Sequence, residues 1–257
     1  MAWIEVRKSG PVRRWHIHRP DRRNGLGTVI AAELQDLLEN FREECRDQGP
    51  AFSCRLLAIS ATAVGNGDSR TWIGGGDLKE LAGLTSADEG QAYSRTMTAV
   101  CTGLQRLPVP VLMAVDGRAI GGGAEFALAG DLRLATAGST LEFRQLQVGL
   151  STGYGGAARL VRLVGQSRAT GWILGCAVID SATARETGLI HELVPDAAAL
   201  EEAITRQGRH FAGLAPEAVA AQKELLAGRD DADDSHLFRQ IWLNPSHRRF
   251  MEKYQQD

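Results

Sequence analysis

Residues 109–131, VPVLMAVDGRAIGGGAEFALAGD, constrain the fold more than any other part of the chain. They open on an apolar run, 109–115, long enough for a buried strand and too short for a helix of ordinary length. Asp116 and Gly117 turn the chain, three glycines follow at 121–123, and 124–129 is a compact helix-forming run whose one carboxylate is Glu125. A strand that feeds a glycine-rich turn into a helix leaves backbone N–H groups unpaired at the positive end of the helix dipole. Such a turn holds negative charge, and in the absence of Cβ atoms a ligand reaches the backbone. A lone GGG reads equally well as a flexible turn. A second one changes the reading: residues 71–80, TWIGGGDLKE, also run from a hydrophobic segment through glycines 74–76 into a helix starting at Asp77. Two such corners in one domain can aim two N–H groups at one oxygen, the geometry of an oxyanion hole.

The rest of the 257-residue chain reads as scaffold for these corners. Its length suits one large domain or a core with a small appendage. A net charge of −2 and a pI near 6.3 carry no electrostatic footprint for nucleic acid. The opening MAWIEVRKSG lacks the apolar core of a signal peptide, and no run is long and apolar enough to span a bilayer, so the expectation is a cytoplasmic protein without a membrane partner. Cys45, Cys54, Cys101 and Cys176 are widely spaced without a CxxC, as reduced structural thiols are. His16 and His18 share one face of an expected strand, but no ligand cluster accompanies them and no metal site is expected.

In chain order, 3–6 and 12–17 form an expected hairpin, and the polar loop 19–27, RPDRRNGLG, leads into a helix over 28–45. Arg22 and Arg23 in that loop are either solvated charges or a grip on a phosphate-bearing ligand. A buried strand at 55–60, a loop at 63–70, helices over 78–84 and 86–107, and a short strand at 132–135 follow. This alternation indicates an α/β sheet covered by crossover helices. The loop 145–156 should lie near the glycine corners. Helices are expected at 157–163, 167–174 and 181–187, and 189–194 is extended. From 196 onward the pattern is helical, over 197–214, 216–227 and 236–253, with an acidic break at 230–234. The expected division is a core of 1–195 and a helical covering region of 196–257.

Taken together, RPDRRNGL, WIGGGDLKE, VDGRAIGGGAEFALAGDLRLAT, GLSTGYGGAARLVRLVG and GLIHELVP resemble the crotonase superfamily of enoyl-CoA hydratases and isomerases, through nearly the whole chain. The resemblance implies a crotonase (ClpP-like) fold of repeated ββα units with a C-terminal helical subdomain, assembly as a homotrimer or hexamer, and an acyl-CoA substrate, free or on an acyl carrier protein. No cofactor beyond the substrate's own coenzyme A is implied. The two amides that polarise the thioester carbonyl fall by motif position on Gly76 and Gly122. The coenzyme A contacts fall on Arg22 or Arg23 for the phosphates and on the backbone from Gly74 through Asp77 to Leu78 for the adenine.

Hydratases of the family carry two glutamates. Glu125 matches the first; the second position, counted through LEFRQLQVGL, is Gln145, and an amide is no general base near neutral pH. GGGAEF, SATARETGLIHELV and FRQIWLNPSHRRF resemble the ethylmalonyl-CoA decarboxylase branch, in which loss of CO₂ makes the enolate without a second carboxylate. On this reading Glu125 positions a proton source or the carboxylate's surroundings, Gln145 hydrogen-bonds in the acyl pocket, and Tyr154 is either proton donor or a pocket-lining aromatic. The competing readings are a hydratase or isomerase and, in a different class, a non-catalytic acyl-CoA-binding or RNA-binding protein. The near-neutral charge and the lack of interleaved aromatic and basic residues oppose RNA.

Overall fold

The computed structural model describes residues 2–227, 234–242 and 244–252. The chain is mixed α/β and passes repeatedly between two sheets. The hairpin β1 (Ile4–Ser9) and β2 (Val12–Ile17) is followed by α1 (Thr28–Gln48), β3 (Leu56–Ala61), β4 (Thr71–Ile73), the single turn α2 (Leu78–Leu81) and α3 (Ala87–Gln105). Then come β5 (Val111–Val115), β6 (Arg118–Ile120), α4 (Gly122–Ala127), β7 (Leu132–Thr136), β8 (Thr140–Glu142), α5 (Gly156–Val164) and α6 (Gln166–Leu174). The chain continues through β9 (Val178–Asp180), α7 (Ser181–Glu186), β10 (Glu192–Val194), α8 (Ala197–Ala212), α9 (Pro216–Leu226), α10 (Asp234–Ile241) and α11 (Pro245–Glu252).

The larger sheet has the order β1-β2-β3-β5-β7-β10, antiparallel at the first pair and parallel thereafter. The smaller has the order β4-β6-β8-β9, with only β9 antiparallel. Each of β3, β5 and β7 in the first sheet is followed directly by β4, β6 or β8 in the second, and then by helix. This is a ββα unit used three times.

The larger sheet is buried on both faces, which is why its central strands are apolar runs rather than alternating ones. Alternate residues still divide: Leu57, Ile59, Val111 and Met113 pack with α1 and α3, while Leu56, Ala58, Leu112 and Leu134 pack with Leu200, Ala203 and Ile204 of α8. Helix α9 is tied down by Lys223, whose buried ammonium donates to Val109 O at 2.9 Å and to Asp131 Oδ2 at 2.5 Å.

Three expectations are corrected. The second glycine run is fed by β6, a separate strand in the other sheet, not by the 109–115 strand, and α4 begins inside that run rather than at 124. Strands β6, β8 and β9, three residues each, were not expected; that length barely holds one period of alternation. The helix expected over 236–253 is broken into α10 and α11. Pro245 cannot continue a helix, and the Asn244 side chain caps the new one by accepting from the amides of Ser246 and His247 at 2.9 Å. Of the expected acidic break all but Asp234 lies outside the described residues, as does Lys253.

One stabilising contact is pH-sensitive. His191, just before β10, accepts the Arg133 amide on Nδ1 at 3.2 Å, a role only the neutral ring fills. Partial burial, then the charges of Arg133 and Arg185, push its pKa down from 6.5 to about 4. Between those values the unfolded chain binds the extra proton, so stability falls as the pH drops through this window, by about 1 kcal/mol for a half-exposed ring. His191→Asn keeps an acceptor without a titrating group; in chemical unfolding across this range it should lose less stability than the native chain, and equal slopes would contradict the assignment.

Candidate functional site

Neighbouring parallel strands β4, β6 and β8 end at the same edge, and the chain leaving each one lines a single cavity of about 500 Å³. Glycines 74–76 follow β4, Gly121 and Gly122 follow β6, and Arg144 and Gln145 follow β8. Leu78, Leu81, Leu84, Val148 and Leu150 make its mouth apolar.

The two glycine corners abut. A methyl on Gly75, where φ is +94°, would stand 2.7 Å from Ile120 O and 3.4 Å from Gly122 N. Among the described residues, neither the Gly76 nor the Gly122 amide has a protein acceptor. Both glycines adjoin the same side chain: a methyl on Gly122 would overlap the Tyr154 ring at Cε2 and lie 2.8 Å from its hydroxyl, and one on Gly76 would lie 3.9 Å from that hydroxyl. Glycine is required at Gly122 by this close approach.

Glu125 on α4 is buried and saturated. Its Oε1 accepts from Gln145 Nε2 at 2.8 Å and the Gly153 amide at 3.1 Å; its Oε2 accepts from the amides of Tyr154 and Gly156, each at 2.9 Å. Four donors fill the four lone-pair directions of a carboxylate. The loop of residues 145–156 is therefore folded around Glu125, and Gln145 is its hydrogen-bond donor. Helix α3 clamps the same loop, Ser94 Oγ and Thr98 Oγ1 donating to Gly153 O at 2.6 and 3.1 Å.

Tyr154 is oriented by Tyr93, a residue of α3 that the sequence does not single out. Tyr93 donates its hydroxyl proton to Leu26 O at 2.5 Å, so in the short contact between the two phenols Tyr154 is the donor. Burial, then the Tyr93 dipole and the bond donated to it, raise the Tyr154 pKa well above 10; burial likewise raises that of Tyr93. Both are phenols at neutral pH. No sequence signal marks Tyr93, because its partner is 61 residues away.

Arg144 was also missed, although it directly precedes Gln145. Its Nε lies 2.6 Å from Glu142 Oε2, and Glu142 is held by Arg118 through Nε at 2.8 Å and Nη2 at 3.0 Å and by Thr140 Oγ1 at 2.7 Å. Burial pushes the Glu142 carboxyl up, but the bonds from Arg118 and Thr140 outweigh it and hold the pKa below 4.5.

The residues expected to meet coenzyme A are dispersed. Gly74 lines the cavity, and Leu78, 65% exposed, stands at its mouth. The buried Asp77 side chain caps α2, Oδ1 accepting from the amides of Lys79 and Glu80, and Oδ2 lies 3.0 Å from Arg19, which leaves only the backbone of this residue for a ligand. Arg22 is half-buried between Asp21 at 3.5 Å and Asp77 at 3.9 Å. Arg23 is exposed, and its carbonyl accepts the Gly74 amide at 2.9 Å. Neither arginine lines the cavity.

Paired sheets joined by ββα units, with glycine corners at adjacent strand ends, make this a crotonase fold. The chain belongs to the enoyl-CoA hydratase/isomerase family, whose profile matches residues 7–244. Among curated proteins it is similar to ethylmalonyl-CoA decarboxylase of Xenopus laevis, 29% identical over 88% of this chain and 74% of that protein. Among solved structures it is similar to an enoyl-CoA hydratase from Bacillus anthracis, with a TM-score of 0.87 and 25% identity over 99% of this chain and 96% of that one. An enoyl-CoA hydratase from Polaromonas sp. JS666 gives a TM-score of 0.78 and 26% identity over 92% and 87%. No helix among the described residues is long and apolar enough to cross a membrane.

Proposed function

We propose that this protein is a lyase that removes CO₂ from a malonyl-type acyl-CoA, such as ethylmalonyl- or methylmalonyl-CoA, through a thioester enolate held by the amides of Gly76 and Gly122. The observation that carries this reading is the saturation of Glu125. Its lone pairs are taken by three backbone amides and Gln145, so the carboxylate in the cavity wall has no vacant position from which to remove an α-proton. Decarboxylation needs no such base. The bond between Cα and the carboxylate breaks, CO₂ leaves, and its electron pair becomes the enolate R–CH=C(O⁻)–S–CoA. One proton then adds to Cα and gives R–CH₂–CO–S–CoA.

The unpartnered amides of Gly76 and Gly122, on corners that touch, support an oxyanion site; one such donor is worth about 3 kcal/mol in the transition state. Tyr154 is the proton donor in this scheme: its hydroxyl turns its proton from Tyr93 to Cα and regains one from solvent. Glu125 positions it by binding its backbone amide, and Gln145 completes that anchor. The apolar mouth suits an acyl-pantetheine arm, Gly74 and Leu78 lie along its entry, and Arg22 and Arg23 take the phosphates at the outer loop. Beyond the substrate's coenzyme A no cofactor is required. The exposed Phe238 of α10, Trp242 just after it and Phe250 of α11 support self-association as a homotrimer or hexamer, which light scattering would test.

The likeness to solved hydratases favours a second reading, hydration or isomerisation of an enoyl-CoA. Incubation with ethylmalonyl-CoA and crotonyl-CoA separates the two. The expected result is CO₂ and butyryl-CoA from the first and negligible turnover of the second. Hydration of crotonyl-CoA at ordinary enzymatic rates without CO₂ release from the malonyl ester would overturn the decarboxylase reading.

A further inference from the structure

Only two charged side chains line the cavity among the described residues, Glu125 and Arg144. Glu125 is saturated. Arg144 is not: its Nε lies 2.6 Å from Glu142 Oε2 without forming a hydrogen bond, and its two terminal nitrogens have no acceptor among the described residues. Glu142 is already matched by a two-pronged contact from Arg118, so two guanidinium groups share one carboxylate and one positive charge is left over at the cavity wall. The Arg144 side chain is 37% exposed, so this surplus charge is met by solvent until a ligand anion takes its place, and a planar guanidinium suits a carboxylate best of all side chains.

Its place relative to the glycine corner follows from the sheet register. Ile120 of β6 lies opposite Glu142 of β8, and the Gly121 amide donates to Glu142 O at 2.7 Å. Gly122 and Arg144 each lie two residues beyond this paired end, and both line the cavity. In a malonyl-type thioester the carboxylate carbon is two bonds, about 2.5 Å, from the thioester carbonyl carbon. A carbonyl held at Gly122 therefore keeps its α-carboxylate inside the cavity whose wall Arg144 shares.

We infer that Arg144 is a specificity-determining residue that selects acyl-CoA esters bearing an anionic group on Cα. The inference rests on the acyl-CoA reading above and extends it to a substrate class. The role is in binding rather than in chemistry. During decarboxylation negative charge moves from the carboxylate to the thioester oxygen, so the contact with Arg144 is made in the ground state and given up as CO₂ leaves. An interaction of that kind lowers KM and does not raise kcat.

The test compares binding of 2-sulfobutyryl-CoA, whose sulfonate keeps the charge and cannot leave as CO₂, with that of butyryl-CoA, by titration calorimetry. Arg144→Gln should weaken the sulfonate about tenfold to a hundredfold, the range for a lost charge-assisted hydrogen bond, and shift butyryl-CoA less than twofold. Arg144→Lys, which keeps the charge against Glu142 and loses the fork, should fall between. In turnover of ethylmalonyl-CoA the Gln variant should show a raised KM at unchanged or higher kcat. Equal weakening of both ligands would assign Arg144 a structural role, and no weakening of either would leave it idle; both overturn the inference. Selective loss of sulfonate binding in a protein that releases no CO₂ supports the inference while removing the reaction. CO₂ release with sulfonate preference intact in the Gln variant keeps the reaction and removes the inference.

Discussion

Replacing Glu125 with alanine is expected to destabilise the protein by about 3–5 kcal/mol, roughly 10 °C in Tm, because four donors lose their acceptor at once. Three of them are the backbone amides of Gly153, Tyr154 and Gly156, held by a side chain that is 1% exposed. The more telling variant is Glu125→Gln. A carboxamide accepts on one end only, so either the pair from Gln145 and Gly153 or the pair from Tyr154 and Gly156 would meet an N–H group instead of a lone pair. This isosteric change should still cost about 2–3 kcal/mol and speed amide exchange at residues 153–156. Unfolding curves and hydrogen exchange read both effects. A Gln variant of native stability and no activity would instead mark Glu125 as a participant in the chemistry.

Replacing Gly122 with alanine is expected to reduce kcat/KM by about a hundredfold or more, the loss typical of one misplaced oxyanion donor. The added methyl overlaps the Tyr154 ring, so either the ring swings away from Tyr93 or the amide retreats from the corner. Overpacking of this kind costs about 1–3 kcal/mol in stability, too little to unfold the chain. The matching control is Gly171→Ala in α6, where a methyl meets nothing within 4 Å and activity should be unchanged. Steady-state kinetics of the two variants, alongside their melting temperatures, separate lost chemistry from lost fold. Native activity in Gly122→Ala would remove this corner from the mechanism.

The glycine corners were legible because a strand, a glycine run and a helix follow one another within a dozen residues, so the signal is local. The long helices α1 and α3 and the apolar strands β3 and β5 were legible for the same reason: many residues repeat one period. The smaller sheet was not. Strands β6, β8 and β9 hold three residues each and exist because each pairs with neighbours distant in sequence. The ion pair between the Asp77 side chain and Arg19 was not legible either, since folding alone brings the two together.

From its own residues the chain specified a mixed α/β fold, two glycine corners, Glu125 with an amide rather than a carboxylate at position 145, and a helical end. Those follow from covalent order and local periodicity, which a linear text records. Only the tertiary structure decided that Glu125 would be filled by four donors, that the Tyr154 hydroxyl would donate to Tyr93, and that Arg144 would line the cavity with its terminal nitrogens unpaired. Each depends on long-range contacts between segments that carry no mark of their partners, as the register of strands β4, β6 and β8 does.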